Sequence, residues 1–238
     1  MGPQATVLLQ QRLIDAVEVT DDADHIPLIV DMNPQVPSRL SWVLEGRGED
    51  PGKVLVEMAQ RLAAAGAKAL AMPCNTAHHF ASQISASVDI PFFNMVDMAC
   101  QAASGVVGTG GKVGILASPA TDRISLFQKS LGTYGTEPVY PDDQPAMLAA
   151  IRRMKAVGPR EADISALTQA AENCRENGAS CILVGCTEFS LVANAVEIDL
   201  PVIDTINILV ERILAFSNIK SRELGSRPAD HYTKERNY

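Results

Sequence analysis

Two stretches of this chain carry residue types suited to proton transfer, and they stand in matching register. Ala71-Met72-Pro73-Cys74-Asn75-Thr76-Ala77-His78 and Val184-Gly185-Cys186-Thr187-Glu188 each follow a glycine and a short apolar run. Each sets one cysteine before polar residues that can open a helix. Aligned without a gap, Gly66 to Thr76 falls on Gly178 to Glu188 at an offset of 112 residues. Downstream, Asp89-Ile90-Pro91 faces Asp199-Leu200-Pro201 at an offset of 110. The chain therefore reads as two related halves, each delivering one thiol after a strand.

In open parallel sheets, ligands bind outside the carboxyl ends of the strands. Halves that face each other about a pseudo-two-fold axis would bring Cys74 and Cys186 to one cleft. A helix N-terminus just after each cysteine would favour thiolate and offer backbone N–H groups to a carboxylate. A planar carbanion between two thiols can lose a proton from one face and regain one on the other, which is what inversion at an α-carbon requires. One sulfur must then be thiolate and the other thiol, with the roles exchanged for the opposite enantiomer. The scheme requires neither a metal nor a Schiff-base cofactor, so none is expected.

The elements that position these thiols follow from periodicity and punctuation. Leu9, Leu13, Ile14 and Val17 mark one apolar face of an N-terminal helix. Ile26 to Asp31 reads as a strand, and the loop from Asn33 to Arg39 is stiffened by proline. A helix is expected from Glu49 to Ala65, ended by Gly66, then a strand from Ala69 to Met72. A helix from His78 to Ser85, a strand from Phe92 to Met95 and a helix from Met98 to Val106 lead to a glycine hinge at 108–111. The second half repeats the scheme: strand Val113 to Ala117, helix Arg123 to Leu131, strand Glu137 to Tyr140, and helix Ala146 to Ala156, which bears Lys155. A long helix from Glu161 to Glu176, strands Cys181 to Val184 and Val202 to Asp204, and helix Ile206 to Phe216 complete it. This alternation implies α/β architecture with parallel sheets. Domain boundaries are expected at 1–107 plus 206–238 for the first domain and 108–205 for the second. Residues 217–238 are polar, broken by Pro and Gly, and expected to pack loosely.

Ala120-Thr121, which follow the strand Val113 to Ala117, match Ala5-Thr6 at an offset of 115. The first half thus has the loop and helix but lacks the strand expected before Met1. A start codon placed too late, or a truncated product, is the expected explanation, and the apolar surface left behind should be exposed.

With 238 residues and 47% hydrophobic content, the chain can build substantial cores. A net charge of −8 without Lys/Arg clusters argues against a nucleic-acid surface. No apolar run approaches the roughly 18 residues of a membrane span, and no signal peptide is read. Five cysteines without metal-site spacing fit a reducing cytoplasm better than a disulfide scaffold.

The motifs Pro73-Cys74-Asn75-Thr76-Ala77-His78 and Gly185-Cys186-Thr187-Glu188 resemble the two signatures of the cofactor-independent aspartate/glutamate racemase family. Met1-Gly2-Pro3-Gln4-Ala5-Thr6 resembles the end of that family's glycine-rich N-terminal motif. Asp24-His25-Ile26-Pro27 and Pro37-Ser38-Arg39 are similar to elements of its aspartate racemase branch. The resemblance covers nearly the whole chain. It implies two pseudo-symmetric α/β domains with the active site between them, commonly in a homodimer, acting on a small amino acid without cofactor. By the same resemblance Cys74 and Cys186 are the acid/base pair. Asn75, Thr76, Ser118, Thr121 and Thr187 surround the amino-acid head group, with Glu188 beside them. Arg39 and Lys155 hold the side-chain carboxylate, a task that suits the planar fork of Arg.

Plainer readings stand beside these. Cys100, Cys174 and Cys181 are expected as small core hydrophobes. His78 and Glu188 either tune the cysteines, ligate substrate or serve as helix caps and structural residues, His25 and His79 are surface or packing residues, and Asp204 is a loop or N-cap residue. Alternative functions are isomerisation of a related dicarboxylate, as in maleate isomerases, and a vestigial ligand-binding protein.

Overall fold

Helix α1 (Pro3–Ala16) opens the described part of the chain, residues 2–219 of the computed structural model. Pro3 starts it, where a missing N–H costs nothing, and Ala5, Leu9, Leu13 and Ala16 form its buried face. Ile14, expected on that face, is instead 49% exposed. A hundred degrees of rotation per residue carries it off the stripe set by Leu9 and Leu13.

The next expectation fails. Ile26 to Asp31 belongs to no sheet, and Leu28, Ile29 and Val30 are 45%, 50% and 45% exposed. The run is apolar enough for a strand, but none of the described residues offers it a ladder partner. A helix not foreseen follows: α2 (Arg39–Glu45), capped by the Ser38 side chain accepting from the Ser41 amide and ended by Gly46 in the left-handed conformation. It carries Arg39 on its first turn. Then come α3 (Pro51–Ala64), strand β1 (Leu70–Ala71), a 3-10 turn (Thr76–Phe80), helix α4 (Ala81–Ala86), strand β2 (Phe92–Phe93) and helix α5 (Met95–Val107).

In the second half, strand β3 (Lys112–Leu116) leads to α6 (Pro119–Arg123) and α7 (Leu126–Gly132), where the sequence had suggested one helix. Ser125 breaks it at φ 54. Strand β4 (Glu137–Val139), helices α8 (Gln144–Val157) and α9 (Glu161–Glu176), strand β5 (Cys181–Val184), strand β6 (Val202–Asp204) and helix α10 (Thr205–Ser217) complete the described chain. The expectation for residues 217–238 falls, from residue 220 onward, outside the described residues.

All strand pairings among the described residues are parallel. β1 and β2 form a two-stranded sheet, and the other four strands run in the order β4-β3-β5-β6. The larger sheet is covered on both faces, as parallel sheets require. Ile182 and Val184 point to α8 and α9, where they meet Met147, Ile151 and Leu167. Cys181 and Leu183 point the other way, onto Ala99, Cys100 and Phe127 of α5 and α7. The smaller sheet divides likewise. Leu70 packs with Leu55, Met58 and Phe80, whereas Ala71 lies against the core made by α1, α10 and Phe93.

Strand order reverses between β3 and β5, since the chain goes from β3 out to β4 and back past β3 to β5. Such a switch point leaves a crevice at the carboxyl ends of the strands. Ser118 follows β3 there and Cys186 follows β5.

Candidate active site

Each cysteine leaves its strand on a short, tightly held turn. The Cys74 amide donates to the Met72 carbonyl at 2.8 Å, two residues back, which turns the chain out of the sheet just after Pro73. Before Cys186, the Gly185 amide continues the ladder to Leu116 at 2.9 Å. A Cβ on Gly185 would come within 2.5 Å of the Phe127 ring, so only glycine lets the strand end pass that close. The helix expected directly after each cysteine is absent. Short 3-10 turns stand there, Thr76–Phe80 in one half and Phe189–Leu191 in the other. Both turns fold tightly because buried Phe80 and Phe189 must reach the cores immediately.

The structure brings nine of the ten expected site residues to one narrow cleft of about 50 Å³, between the two cysteine turns and the start of α2. Cys74, Asn75 and Thr76 line one side, Cys186, Thr187 and Glu188 the other, and Ser118, Lys155 and Arg39 close it. The tenth, Thr121, is fully buried behind the cleft, and its hydroxyl donates to the Ser118 carbonyl at 2.7 Å. A wider groove beside Glu45 and Arg47 is open to solvent and is lined by neither cysteine.

The electrostatics of the two thiols differ. Cys74 is half-buried, whereas Cys186 is buried with its Sγ donating to Glu188 Oε2 at 3.1 Å. Burial pushes the Cys186 thiol well above its ordinary pKa, and the adjacent Glu188 carboxylate pushes the same way against a smaller opposing pull from Lys155. The expectation that a helix N-terminus would favour thiolate is therefore corrected at this position. The other oxygen of Glu188 lies 3.4 Å from Lys155 Nζ. Arg39 is held by its own loop, with Nη1 donating to the carbonyls of Val36 at 3.0 Å and Pro37 at 2.6 Å. Its Nε and the Oδ1 of Asn75 are buried without a partner among the described residues.

Behind the cleft lies a polar chain that sequence reasoning missed. Asn75 Nδ2 donates to Thr205 Oγ1 at 3.0 Å, and Thr205 Oγ1 donates to the Val184 carbonyl at 3.0 Å. One buried hydroxyl thus links both cysteine turns. Asp204 caps α10 and pairs with Arg12 at 2.7 Å. Arg12 also donates to the Ser190 carbonyl, tying α1 to the Cys186 turn. The available signal was the polar pair Asp204-Thr205 between two apolar runs. His78 is resolved in favour of structure: Nδ1 bonds the Cys74 carbonyl at 2.9 Å, and Nε2 accepts from the Met95 amide at 3.1 Å. Burial lowers its pKa to about 4, so it stays neutral. Cys100, Cys174 and Cys181 pack in the cores, where burial raises their thiols to about 12, 11 and 11.

A family model described as Asp/Glu/Hydantoin racemase matches residues 1–213. The chain belongs to this family. It is an isomerase of the racemase type. A broad-specificity amino-acid racemase of Bacillus subtilis is 23% identical over 210 residues, covering 86% of this chain and 89% of that one. Among solved structures, the aspartate racemase of Picrophilus torridus superposes with a TM-score of 0.81 at 23% identity, over 93% of this chain and 92% of that one. A glutamate racemase isoform from Bacillus anthracis gives 0.63 at 17% identity, over 90% and 77%. At these identities the structural likenesses speak for the fold, two α/β domains. No helix among the described residues is long and apolar enough to cross a membrane.

Proposed function

We propose that this racemase inverts aspartate, with glutamate and other amino acids as further substrates, by proton transfer between Cys74 and Cys186 without a cofactor. One observation carries the reading. Thiols from corresponding turns of the two halves line the same cleft as two cations, Arg39 and Lys155. A thiolate takes the α-proton, and the C–H electron pair delocalises into the α-carboxylate. The opposite thiol then gives its proton to the other face, so the pair ends with its protonation states exchanged. Arg39 and Lys155 hold the side-chain carboxylate. Asn75, Thr76, Ser118 and Thr187 receive the head group, and Thr121 supports Ser118 from behind.

The aspartate racemase among the structural neighbours supports the choice of substrate, and the broad-specificity relative supports a wider range. The reading includes two domains, 1–107 with 206–238 and 108–205, facing each other across the cleft. It also includes a homodimer in the cytoplasm, resting on the family resemblance and on an acidic chain with five cysteines.

The test is α-proton exchange in D2O, followed by NMR, with both enantiomers of aspartate and then of glutamate and no added cofactor. Exchange with accumulation of the opposite enantiomer is expected. A folded sample that exchanges none of these substrates would sink the aspartate/glutamate assignment.

A further inference from the structure

Of the described residues that line the cleft, three carry formal charge: Arg39, Lys155 and Glu188. A carboxylate is a poor choice for a site that must receive a dianion, unless the ligand also brings a cation. In the cleft Glu188 has one oxygen on the Cys186 thiol at 3.1 Å and the other 3.4 Å from Lys155. Its side chain is only 14% exposed, so water cannot replace a lost partner freely. Gly2 closes this corner: a Cβ there would stand 3.2 Å from Glu188 Oε1.

We infer that Glu188 receives the α-ammonium group of the substrate and so selects amino dicarboxylates over dicarboxylates that lack an amino group. This rests on the racemase reading above and names what that reading left open, the group that tells an amino acid from its deaminated analogue. The two cations and one anion of the cleft are the inverse of the two carboxylates and one ammonium of aspartate. Entry of aspartate exchanges one ion pair for two. Lys155 passes from Glu188 to the substrate's side-chain carboxylate, and the freed oxygen of Glu188 takes the ammonium. The α-carboxylate is left to the hydroxyl and amide donors of the cleft, Asn75, Thr76, Ser118 and Thr187.

A dicarboxylate without the amino group also draws Lys155 away, but it leaves Glu188 unpaired beside two further negative charges. Rejection then comes from the protein group left without a partner, a stronger discriminator than any shape difference between the two ligands. Counterpart positions support a dedicated role. Thr76 occupies in the Cys74 turn the place that Glu188 occupies in the Cys186 turn, so the carboxylate is not demanded by the repeated backbone.

The experiment compares aspartate with succinate, the same dicarboxylate without its amino group, by calorimetric titration of the full chain and of Glu188→Gln. Glutamine keeps the shape and removes the charge. The wild type is expected to bind aspartate at least about tenfold more tightly than succinate, the span of a charge-assisted hydrogen bond. In Glu188→Gln aspartate should weaken by about 10- to 100-fold. Succinate should bind as well as before or better, so that the preference collapses. Equal weakening of both ligands, or a preference that survives the substitution, overturns the inference. The D2O exchange assay separates the two readings. Exchange without the predicted change in preference sinks the Glu188 role alone, whereas preference without exchange sinks the racemase mechanism alone. Binding of neither ligand sinks both.

Discussion

The two cysteine turns match in position along their halves and differ in surroundings. At the offset of 112 residues, His78 falls on Ser190, and each contacts the carbonyl of the cysteine four residues before it, at 2.9 Å and 3.5 Å. Each then reaches the start of the helix that follows the next strand. His78 accepts from the Met95 amide at the start of α5, and Ser190 donates to Asp204, which caps α10. The repeat thus preserves a way of anchoring a turn, and different side chains perform it. What it does not preserve is charge. Thr76 stands beside Cys74, where Glu188 stands beside Cys186 and holds that sulfur as a thiol. The repeat supplies two matching positions, and different neighbours give the two sulfurs different surroundings.

The strongest test of this comparison removes each sulfur in turn. Cys74→Ser and Cys186→Ser should each lower the racemisation rate by about 10²–10⁴-fold, the usual contribution of a positioned acid or base. If either variant turned over at the wild-type rate, the two halves would not share the chemistry.

Next in size is the anchor peculiar to the first turn. His78 is neutral in the fold, with its pKa at about 4 against an ordinary 6.5. The unfolded chain therefore binds the extra proton between those values, and stability falls as pH drops from about 6.5 to about 4. The loss should reach about 3 kcal/mol, from 1.36 kcal/mol per pKa unit. Urea midpoints measured across that window should show it, and His78→Asn should remove most of this slope. An unchanged slope in the variant would mean that other groups carry the acid sensitivity.

The smallest effect concerns the hydroxyl that joins the two turns. Thr205→Val leaves Asn75 Nδ2 and the Val184 carbonyl without their shared partner, which should cost about 1–3 kcal/mol of stability. Because both turns relax, kcat should fall more than KM rises. A stability loss with kcat intact would reduce Thr205 to a packing residue.

Much of the site was legible because a cysteine after a strand, repeated in register, constrains both the backbone and the sheet edge. Asn75, Thr76, Thr187 and Glu188 stand next to the cysteines, whereas Ser118 came only from the family resemblance. Thr121 came from the same resemblance, and the packing of α6 buries it and puts its hydroxyl on the Ser118 carbonyl. Thr205 and Arg12 were missed for a different reason. They act across 130 and 178 residues of chain, on Asn75 and Ser190, and no local pattern marks such partners.

By itself the sequence determined the alternation of elements, the duplicated cysteine turns and the family, because all three are written in local periodicity and motif register. Only the tertiary structure decided that Ile26 to Asp31 pairs with no strand among the described residues, since a strand exists only where another backbone lies alongside it. Only the tertiary structure, too, set Glu188 between Cys186 and Lys155. Burial and neighbouring charge set a thiol's protonation, and both depend on chain segments far apart in sequence.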